Sequence, residues 1–273
     1  MPSNPMTHHL ERTPGELRHG WPYLVVATLL TILGATVPAG AMTIHGTEVV
    51  IPVVAHAPGL EGSQWRSDVW IANPYSDALE VTLTYFPVAG GELTATVTVE
   101  GYRGAYLPDI VLETFGLDSS KGMLIAAATS RIELRARIYN TGNPCGEFGQ
   151  SVPGLPLERL SSQGFLSGLG TAGGSRLNVG FANPADRTIT ISIHVDDMST
   201  GEQFYLDDVV LGPHQMVQLD RLGERFGFPG RNNLVVRAYT ITGDTFYAYA
   251  SVVRNDSGDA IFIYGTAPNR GPS

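Results

Sequence analysis

The fold is decided by the stretch Val69-Trp70-Ile71-Ala72-Asn73-Pro74, which returns 110 residues further along as Val179-Gly180-Phe181-Ala182-Asn183-Pro184. Two more segments recur at nearly the same spacing: residues 109–116 return at 220–227, and residues 138–140 return at 253–255. Separated segments that recur at a nearly constant offset indicate an internal repeat. Each copy has about 100 residues, the size of an immunoglobulin-like sandwich domain.

Within each copy, apolar residues alternate with polar ones. The alternation covers residues 79–85, 93–99 and 132–138 of the first copy and 189–195 of the second. Strict alternation indicates strands with one buried and one solvated face, as in antiparallel sheets. We therefore predict an all-β fold of two tandem immunoglobulin-like antiparallel β-sandwich modules, at residues 42–147 and 148–273.

One short helix on a crossover interrupts the strand pattern of each copy. Asp109 and Asp220 stand where a carboxylate can accept hydrogen bonds from the first turn of a helix. Gly116 and Gly227 follow where a glycine often ends a helix.

The segment 148–174 joins the two predicted modules. Its residues Ser151-Val152-Pro153 resemble Val50-Ile51-Pro52 near the start of the first copy. This similarity predicts that the segment supplies the first strand of the second module.

Residues 1–41 have the pattern of a signal peptide. Arg12 and Arg18 precede an apolar run at residues 23–33, and Ala39-Gly40-Ala41 offers a cleavage site between small residues. The longer run at 21–37 is near the lower length limit of a membrane helix, so an uncleaved N-terminal anchor is the alternative. We expect a secreted or cell-surface protein, and a periplasmic location is the alternative. Contact with the membrane is expected only if the N-terminal segment stays uncleaved.

The charge pattern argues against nucleic acid as a partner. The net charge is −9, and the 17 basic residues are scattered, with Lys121 the single lysine. A phosphate backbone is usually followed by a clustered basic patch. Cys145 is the single cysteine, so it is either a tolerated loop thiol or the source of an intermolecular disulfide.

No catalytic motif is found. Residues 168–173 match Gly-x-Gly-x-x-Gly, but a predicted strand follows them where a nucleotide site needs a helix, so a loop is favoured. None of the histidines at 45, 56, 194 and 214 lies in a motif, although Ser–His–Asp triads can be dispersed along a chain. Oxygen ligands for Ca²⁺ could come from the acidic pairs at 196–197 and 207–208 and from the loop 255–259. Such residues also form ordinary turns, so Ca²⁺ binding is one of two alternatives. No cofactor is predicted.

Aromatic residues supply the candidate interaction surface. If Val69 and Ile71 face the core, Trp70 faces outward together with Arg66 and Asp68. In the second copy, Tyr247 and Tyr249 lie on the strand face opposite Phe246, Ala248, Ala250 and Val252. Outward Trp and Tyr can stack on sugars or anchor a protein partner. The alternative is that the neighbouring module or cross-strand pairs cover them.

Three stretches resemble the poorly characterised β-sandwich repeats of exported proteins from acidobacteria and other environmental bacteria. They are residues 65–68 with Asn73-Pro74, residues 148–153, and residues 248–253 with Asn255, Gly258 and Asp259. The second copy opens with Ser175-Arg176-Leu177-Asn178, which departs at two of four positions from the aromatic-Arg-Thr-Asn of that family. The resemblance implies export, a sandwich fold and a non-catalytic extracellular role, with no residue-specific function.

The sequence thus predicts a non-catalytic exported binding or structural module that contacts an extracellular protein or surface. One alternative is a carbohydrate-binding accessory protein of an extracellular degradative system. Another is an enzyme of an unrecognised type.

Overall fold

The computed structural model describes residues 44–267, so the predicted signal peptide or anchor at 1–41 lies outside the described residues. The described chain is mostly antiparallel β-sheet, which confirms the all-β prediction. The strands are β1 His45–Pro58, β2 Gln64–Ala72, β3 Leu79–Pro87, β4 Leu93–Val99, β5 Gly104–Leu107, β6 Ser120–Asn140, β7 Phe148–Pro153, β8 Leu155–Pro156, β9 Gln163–Gly170, β10 Ser175–Ala182, β11 Ile189–Asp197, β12 Gln203–Leu211, β13 Met216–Leu219, β14 Asn232–Tyr239, β15 Tyr247–Arg254 and β16 Ala260–Tyr264. The helices are α1 Ile110–Glu113 and α2 Leu222–Arg225, and 3-10 turns lie at Leu60–Gly62 and Leu157–Arg159.

The strands β1–β8, here called the N-terminal half, form one eight-stranded sheet in the order β4-β3-β6-β1-β2-β5, with β7 on β6 and β8 on β1. The sheet is held together by β6, which is 21 residues long. Its first part pairs with β3 and its last part pairs with β2 and β7. The predicted alternation is confirmed along β3, where Leu79, Val81, Leu83 and Tyr85 are all buried.

The strands β9–β16, the C-terminal half, form two four-stranded sheets. Their orders are β13-β10-β15-β16 and β12-β11-β14-β9. Between the sheets lies a core that includes Val179, Phe181, Ile191, Val236 and Ala250. In the N-terminal half the long strand β6 pairs along both of its parts, whereas in the C-terminal half residues 240–246 separate β14 from β15. The two C-terminal sheets therefore share no continuous strand.

The segment 148–174 supplies the first strand of the C-terminal half, β9, but that strand is not formed by residues 151–153. They belong to β7, which pairs with β6 from Arg135↔Pro153 to Asn140↔Phe148 and so extends the sheet of the N-terminal half. The C-terminal half begins instead with β9, which pairs with β14. The similarity of two short apolar stretches did not determine which strand each of them pairs with.

The prediction that Asp109 and Asp220 cap the helices is also wrong. The residue before α1 is Asp109, with φ 36°, and the residue before α2 is Arg221, with φ 50°; neither side chain caps its helix. A capping side chain requires an extended backbone, which the left-handed conformation does not provide. The backbone N–H of Asp109 instead donates to Asp68 Oδ1, and that of Arg221 to Asn178 Oδ1, both at 3.0 Å.

The predicted glycines after the helices are confirmed. Gly116 has φ 71° and Gly227 has φ 83°, so both occupy the left-handed region that glycine adopts without strain.

The two Asn-Pro turns are tied by buried asparagine side chains. Asn73 Nδ2 donates to Asp77 O at 2.8 Å and Val99 O at 3.0 Å, while its Oδ1 accepts from the backbone N–H of Tyr75. Asn183 Nδ2 donates to Arg187 O at 2.7 Å and Gly212 O at 2.8 Å, while its Oδ1 accepts from the backbone N–H of Ala185. Both amides donate to buried or partly buried backbone carbonyls, where an unpaired acceptor is unfavourable.

The two halves pack against each other through the outer face of the β13-β10-β15-β16 sheet. Tyr247 and Tyr249 on this face belong to the same apolar cluster as the core of the N-terminal half. Residues 49–55 of β1 are buried without interruption, as expected for a strand covered on both sides. All described residues lie within one compact unit. None of the helices found in residues 44–267 has the length and apolar character needed to cross a membrane.

Candidate functional site

Trp70 lies on the outer face of the N-terminal sheet, as predicted, and the residue is 40% exposed. Directly across the β2–β5 pairing stands Tyr106, which is 53% exposed. The two rings are stacked, with centroids 5.1 Å apart and an interplanar angle of 28°. Both side chains point away from the core because Val69 and Ile71, the neighbours of Trp70, are buried.

Two charged residues of β6 complete this surface. Arg135 stands opposite Trp70 in the β2–β6 pairing, and Glu133 stands opposite Ala72. Arg135 Nη2 lies 3.2 Å from Glu133 Oε1. We call Trp70, Tyr106, Glu133 and Arg135 the aromatic face; they line an open groove of about 400 Å³. An exposed ion pair of this kind contributes little to stability.

Asp68 was predicted to face outward with Trp70, but it is buried, with only 5% of its surface exposed. Its Oδ2 accepts from the Tyr106 hydroxyl at 3.1 Å, and its Oδ1 accepts from the Tyr139 hydroxyl at 3.1 Å. Desolvation and then this carboxylate raise the pKa of the Tyr106 phenol, so the hydroxyl stays a hydrogen-bond donor. Asp68 is therefore a positioning residue that holds the Tyr106 ring against Trp70.

Arg66, two residues before Asp68, is half-buried, and its guanidinium is held by polar contacts. Its Nη1 donates to Trp65 O at 2.8 Å, and its Nε lies 3.6 Å from Asp109 Oδ2. His56 Nδ1 lies 2.7 Å from the same carboxylate oxygen. A His–Asp pair is part of a hydrolytic triad. Within the described range, however, no hydroxyl or thiol makes a hydrogen bond to His56 Nε2.

Tyr247 and Tyr249 were predicted to face outward from their sheet, and both are buried, each 1% exposed. The predicted strand face is right, but the N-terminal half covers it. Tyr247 donates to Pro153 O at 2.8 Å, and Tyr249 donates to Gln218 Oε1 at 3.0 Å. Desolvation raises the pKa of both phenols well above the usual value.

Tyr106 was missed by the sequence reasoning. It lies in β5, which has only four residues, and four residues show little alternation. The sequence does contain one indication, an aromatic residue between the apolar Ala105 and Leu107, just before the predicted helix.

A second concave site lies between the two halves and has a volume of about 380 Å³. We call it the junction cavity. The wall from the N-terminal half is largely apolar and includes Val53, Ala55, Ala57, Trp65 and Ile138. The wall from the C-terminal half is largely polar and includes Arg176, Asn178, Gln218, Asp220 and Ser251. Lys121 and Gln150 also line it.

Three of the six acidic residues considered for Ca²⁺ are paired with arginines. Asp196 pairs with Arg237, and Asp256 pairs with Arg254. Asp197 pairs with Arg231, whose hydrogen bond, together with backbone N–H donors, lowers the pKa of this carboxyl. In the described part of the chain, no three His, Cys, Asp or Glu side chains come together as a metal site.

Residues 168–170 of the glycine motif end β9, and residues 171–173 lie in the connection to β10, so only the second half of the motif is the predicted loop. Cys145 carries an exposed free thiol in the connection between β6 and β7. Neither feature contacts the aromatic face or lines the junction cavity.

No protein-family model matches the chain, and no curated protein matches it. Among solved structures, the chain is similar to the crystal structure of Thermotoga maritima 1070, with 10% identity and a TM-score of 0.35. The similarity covers 41% of this chain and 96% of that one. A likeness this weak informs neither the fold nor the function, and the resemblance to exported acidobacterial repeats stays a prediction.

Proposed function

We propose that the chain is an exported, non-catalytic binding module made of two copies of one immunoglobulin-like sandwich. The repeat is supported by the strand pairing. In one half β2 pairs with β5 and β6, and in the other β10 pairs with β13 and β15. Likewise β3 pairs with β4 and β6, and β11 pairs with β12 and β14. The matching hydrogen bonds of Asn73 and Asn183 add to this support. We put the boundary between the copies after β8 and before β9.

The binding role rests on one observation: corresponding faces of the two halves differ in what covers them. Trp70 stands opposite Tyr106 and Arg135 across its neighbouring strands, and Gly180 stands opposite Gln218 and Tyr249 in the same way. In the C-terminal half this face is buried against protein, whereas in the N-terminal half it is exposed. A face that binds protein in one copy favours a protein partner for the same face in the other.

The residue types agree with such a role. Trp, Tyr and Arg are the residues most enriched among those that dominate protein–protein binding energy. The aromatic face holds one of each side by side, with the Tyr106 ring already fixed by Asp68. A fixed ring loses little conformational freedom on binding. The partner is then an extracellular or surface protein, because the pattern of residues 1–41 favours export.

Photo-crosslinking in the producing cells tests this function. Trp70 is replaced by p-benzoylphenylalanine, and the cells are irradiated. We expect one discrete adduct of higher mass that depends on light. The matched control places the same residue at Val210, an apolar position that is 63% exposed on β12. Absence of an adduct at position 70, or equal adducts at both positions, would contradict the proposal.

Carbohydrate binding is the second candidate, favoured by the stacked and open Trp70–Tyr106 pair beside Glu133 and Arg135. Sugar rings can stack on exposed indole and phenol rings, while charged groups bind their hydroxyls. A glycan array probed with the full chain and with Trp70→Ala tests it. Binding that disappears in the variant supports this candidate, and the absence of glycan binding rejects it.

A further inference from the structure

The junction cavity has the size and composition of a small-molecule site. Its volume of about 380 Å³ falls in the range of roughly 300–1,000 Å³ that is usual for ligand pockets. Such pockets combine apolar walls with a few convergent polar groups. Here the N-terminal half supplies most of the apolar wall and the C-terminal half most of the polar wall, so a ligand would contact both.

The amides in this cavity present donors, because their oxygens are already occupied. Asn178 Oδ1 accepts from the backbone N–H of Arg221, which fixes the amide orientation and leaves Nδ2 free to donate. Gln218 Oε1 accepts from Tyr249, and its Nε2 donates to Asp220 Oδ1 at 2.6 Å, which leaves one N–H. Gln150 Oε1 accepts from Ser251 at 2.9 Å, so its Nε2 is also left. The remaining N–H groups of these amides favour a ligand that offers acceptors.

Neither cation of the cavity forms a direct ion pair within the described residues, although the carboxylates of Glu61, Asp220 and Glu224 act on Arg176 at longer range. Arg176 is 3% exposed, and its guanidinium donates to the neutral amide oxygen of Asn255 at 2.8 Å. Across residues 44–267, neither Arg176 nor Lys121 forms an ion pair with a carboxylate. Burial of the Arg176 charge without a direct ion pair is unfavourable, and an anion bound in contact with it would offset that cost.

The charge balance selects the class of anion. Arg176 and Lys121 contribute two positive charges, and Asp220 contributes one negative charge, which leaves the lining at +1. A monoanion complements this lining better than a dianion such as phosphate. The apolar wall, with Trp65 and Ile138, complements a hydrocarbon body attached to the anionic group.

We infer that the junction cavity binds a small organic monocarboxylate with an apolar body. The carboxylate accepts from Arg176, Lys121 and the amide of Asn178, and the body packs against Trp65. This site is separate from the aromatic face, so the inference can be tested independently of the protein-binding function.

Calorimetric titration of the full chain with four probes tests the inference. Phenylacetate has a carboxylate and an apolar body. Phenylethanol has the apolar body without the charge, acetate has the carboxylate without the apolar body, and inorganic phosphate carries more negative charge. We expect phenylacetate to bind at least about tenfold more tightly than each of the others. Its binding should also change the fluorescence of Trp65, whose ring lines the cavity.

Variants locate the binding. Arg176→Met and Lys121→Met should each weaken phenylacetate binding by about tenfold, the usual effect of removing a charge-assisted hydrogen bond. Lys121 is only partly buried, so its variant should fold even if Arg176→Met does not. Arg103→Met is the matched control, because Arg103 is exposed and lies outside the cavity. Failure of phenylacetate to bind, unchanged binding in Lys121→Met, or phosphate binding as tight as that of phenylacetate would overturn the inference.

Discussion

Truncation of Tyr249 to alanine is expected to destabilise the folded chain by several kcal/mol. The ring is 1% exposed, stacks on Phe262 with centroids 5.3 Å apart, and lies where a Cβ on Gly180 would collide with it. Removing a buried aromatic ring costs about 3–5 kcal/mol. Losing the hydroxyl that donates to Gln218 adds about 1 kcal/mol.

Arg135 provides the comparison, since it stands opposite Trp70 as Tyr249 stands opposite Gly180. Arg135 is exposed and pairs with Glu133, so Arg135→Ala should change stability by less than about 1 kcal/mol. Tyr249→Phe keeps the ring and should lose only about 1 kcal/mol.

Urea unfolding followed by circular dichroism measures all three variants against the parent chain. Typical domains have only about 5–15 kcal/mol of total stability, so the Tyr249→Ala loss is easily resolved. A loss below about 1 kcal/mol for Tyr249→Ala would refute the burial of this face between the halves. A large loss for Arg135→Ala would refute the exposure of the corresponding face.

Three further outcomes are expected. Asn73→Ala and Asn183→Ala should each cost about 1–3 kcal/mol in urea unfolding, because both leave buried carbonyls unpaired; very unequal losses would speak against two equivalent turns. The Arg231 hydrogen bond lowers the pKa of Asp197 in the folded state. The ionised Asp197 therefore stabilises the fold fully at pH values above its pKa in the unfolded chain, about 3.9, and this stabilisation is lost as the pH falls through the lowered pKa of the folded chain. Unfolding measured from pH 7 to below pH 4 should therefore show a shallower acid loss in Asp197→Asn than in the parent chain, and an equal slope would contradict this. Asp68→Asn should lower the pKa of Tyr106 towards its ordinary value, measured by NMR of labelled tyrosine; an unchanged pKa would mean that Asp68 does not act on Tyr106.

The strand faces could be predicted because side chains alternate along a strand. The apolar residues of β3 and β11 are buried as expected, and Trp70 faces outward as expected. The same alternation put Tyr247 and Tyr249 on the correct face. It does not indicate what packs on that face, because the covering residues come from β1 and β7, far away in the sequence.

The errors concern partners and backbone conformation. Residues 148–153 form a strand, but pairing to β6 depends on the path of the connection and not on the residues' apolar character. Asp109 and Asp220 have the side chains of helix caps, yet the left-handed residue before each helix excludes that role. Asp68 is polar and was therefore expected at the surface. Two tyrosine hydroxyls and one backbone N–H satisfy it in the interior, and these partners are brought together only by the fold.

Hydroxyl-radical footprinting tests the central claim most directly: one face is covered in the C-terminal half, and the corresponding face of the N-terminal half is left open for a partner. In the purified chain, Trp70 and Tyr106 should be oxidised while Tyr247 and Tyr249 are protected. On the producing cells, Trp70 and Tyr106 should become protected, while Tyr205, which is 69% exposed on β12, stays reactive. Oxidation of Tyr249 in the purified chain, or equal oxidation of Trp70 in both settings, would contradict the account.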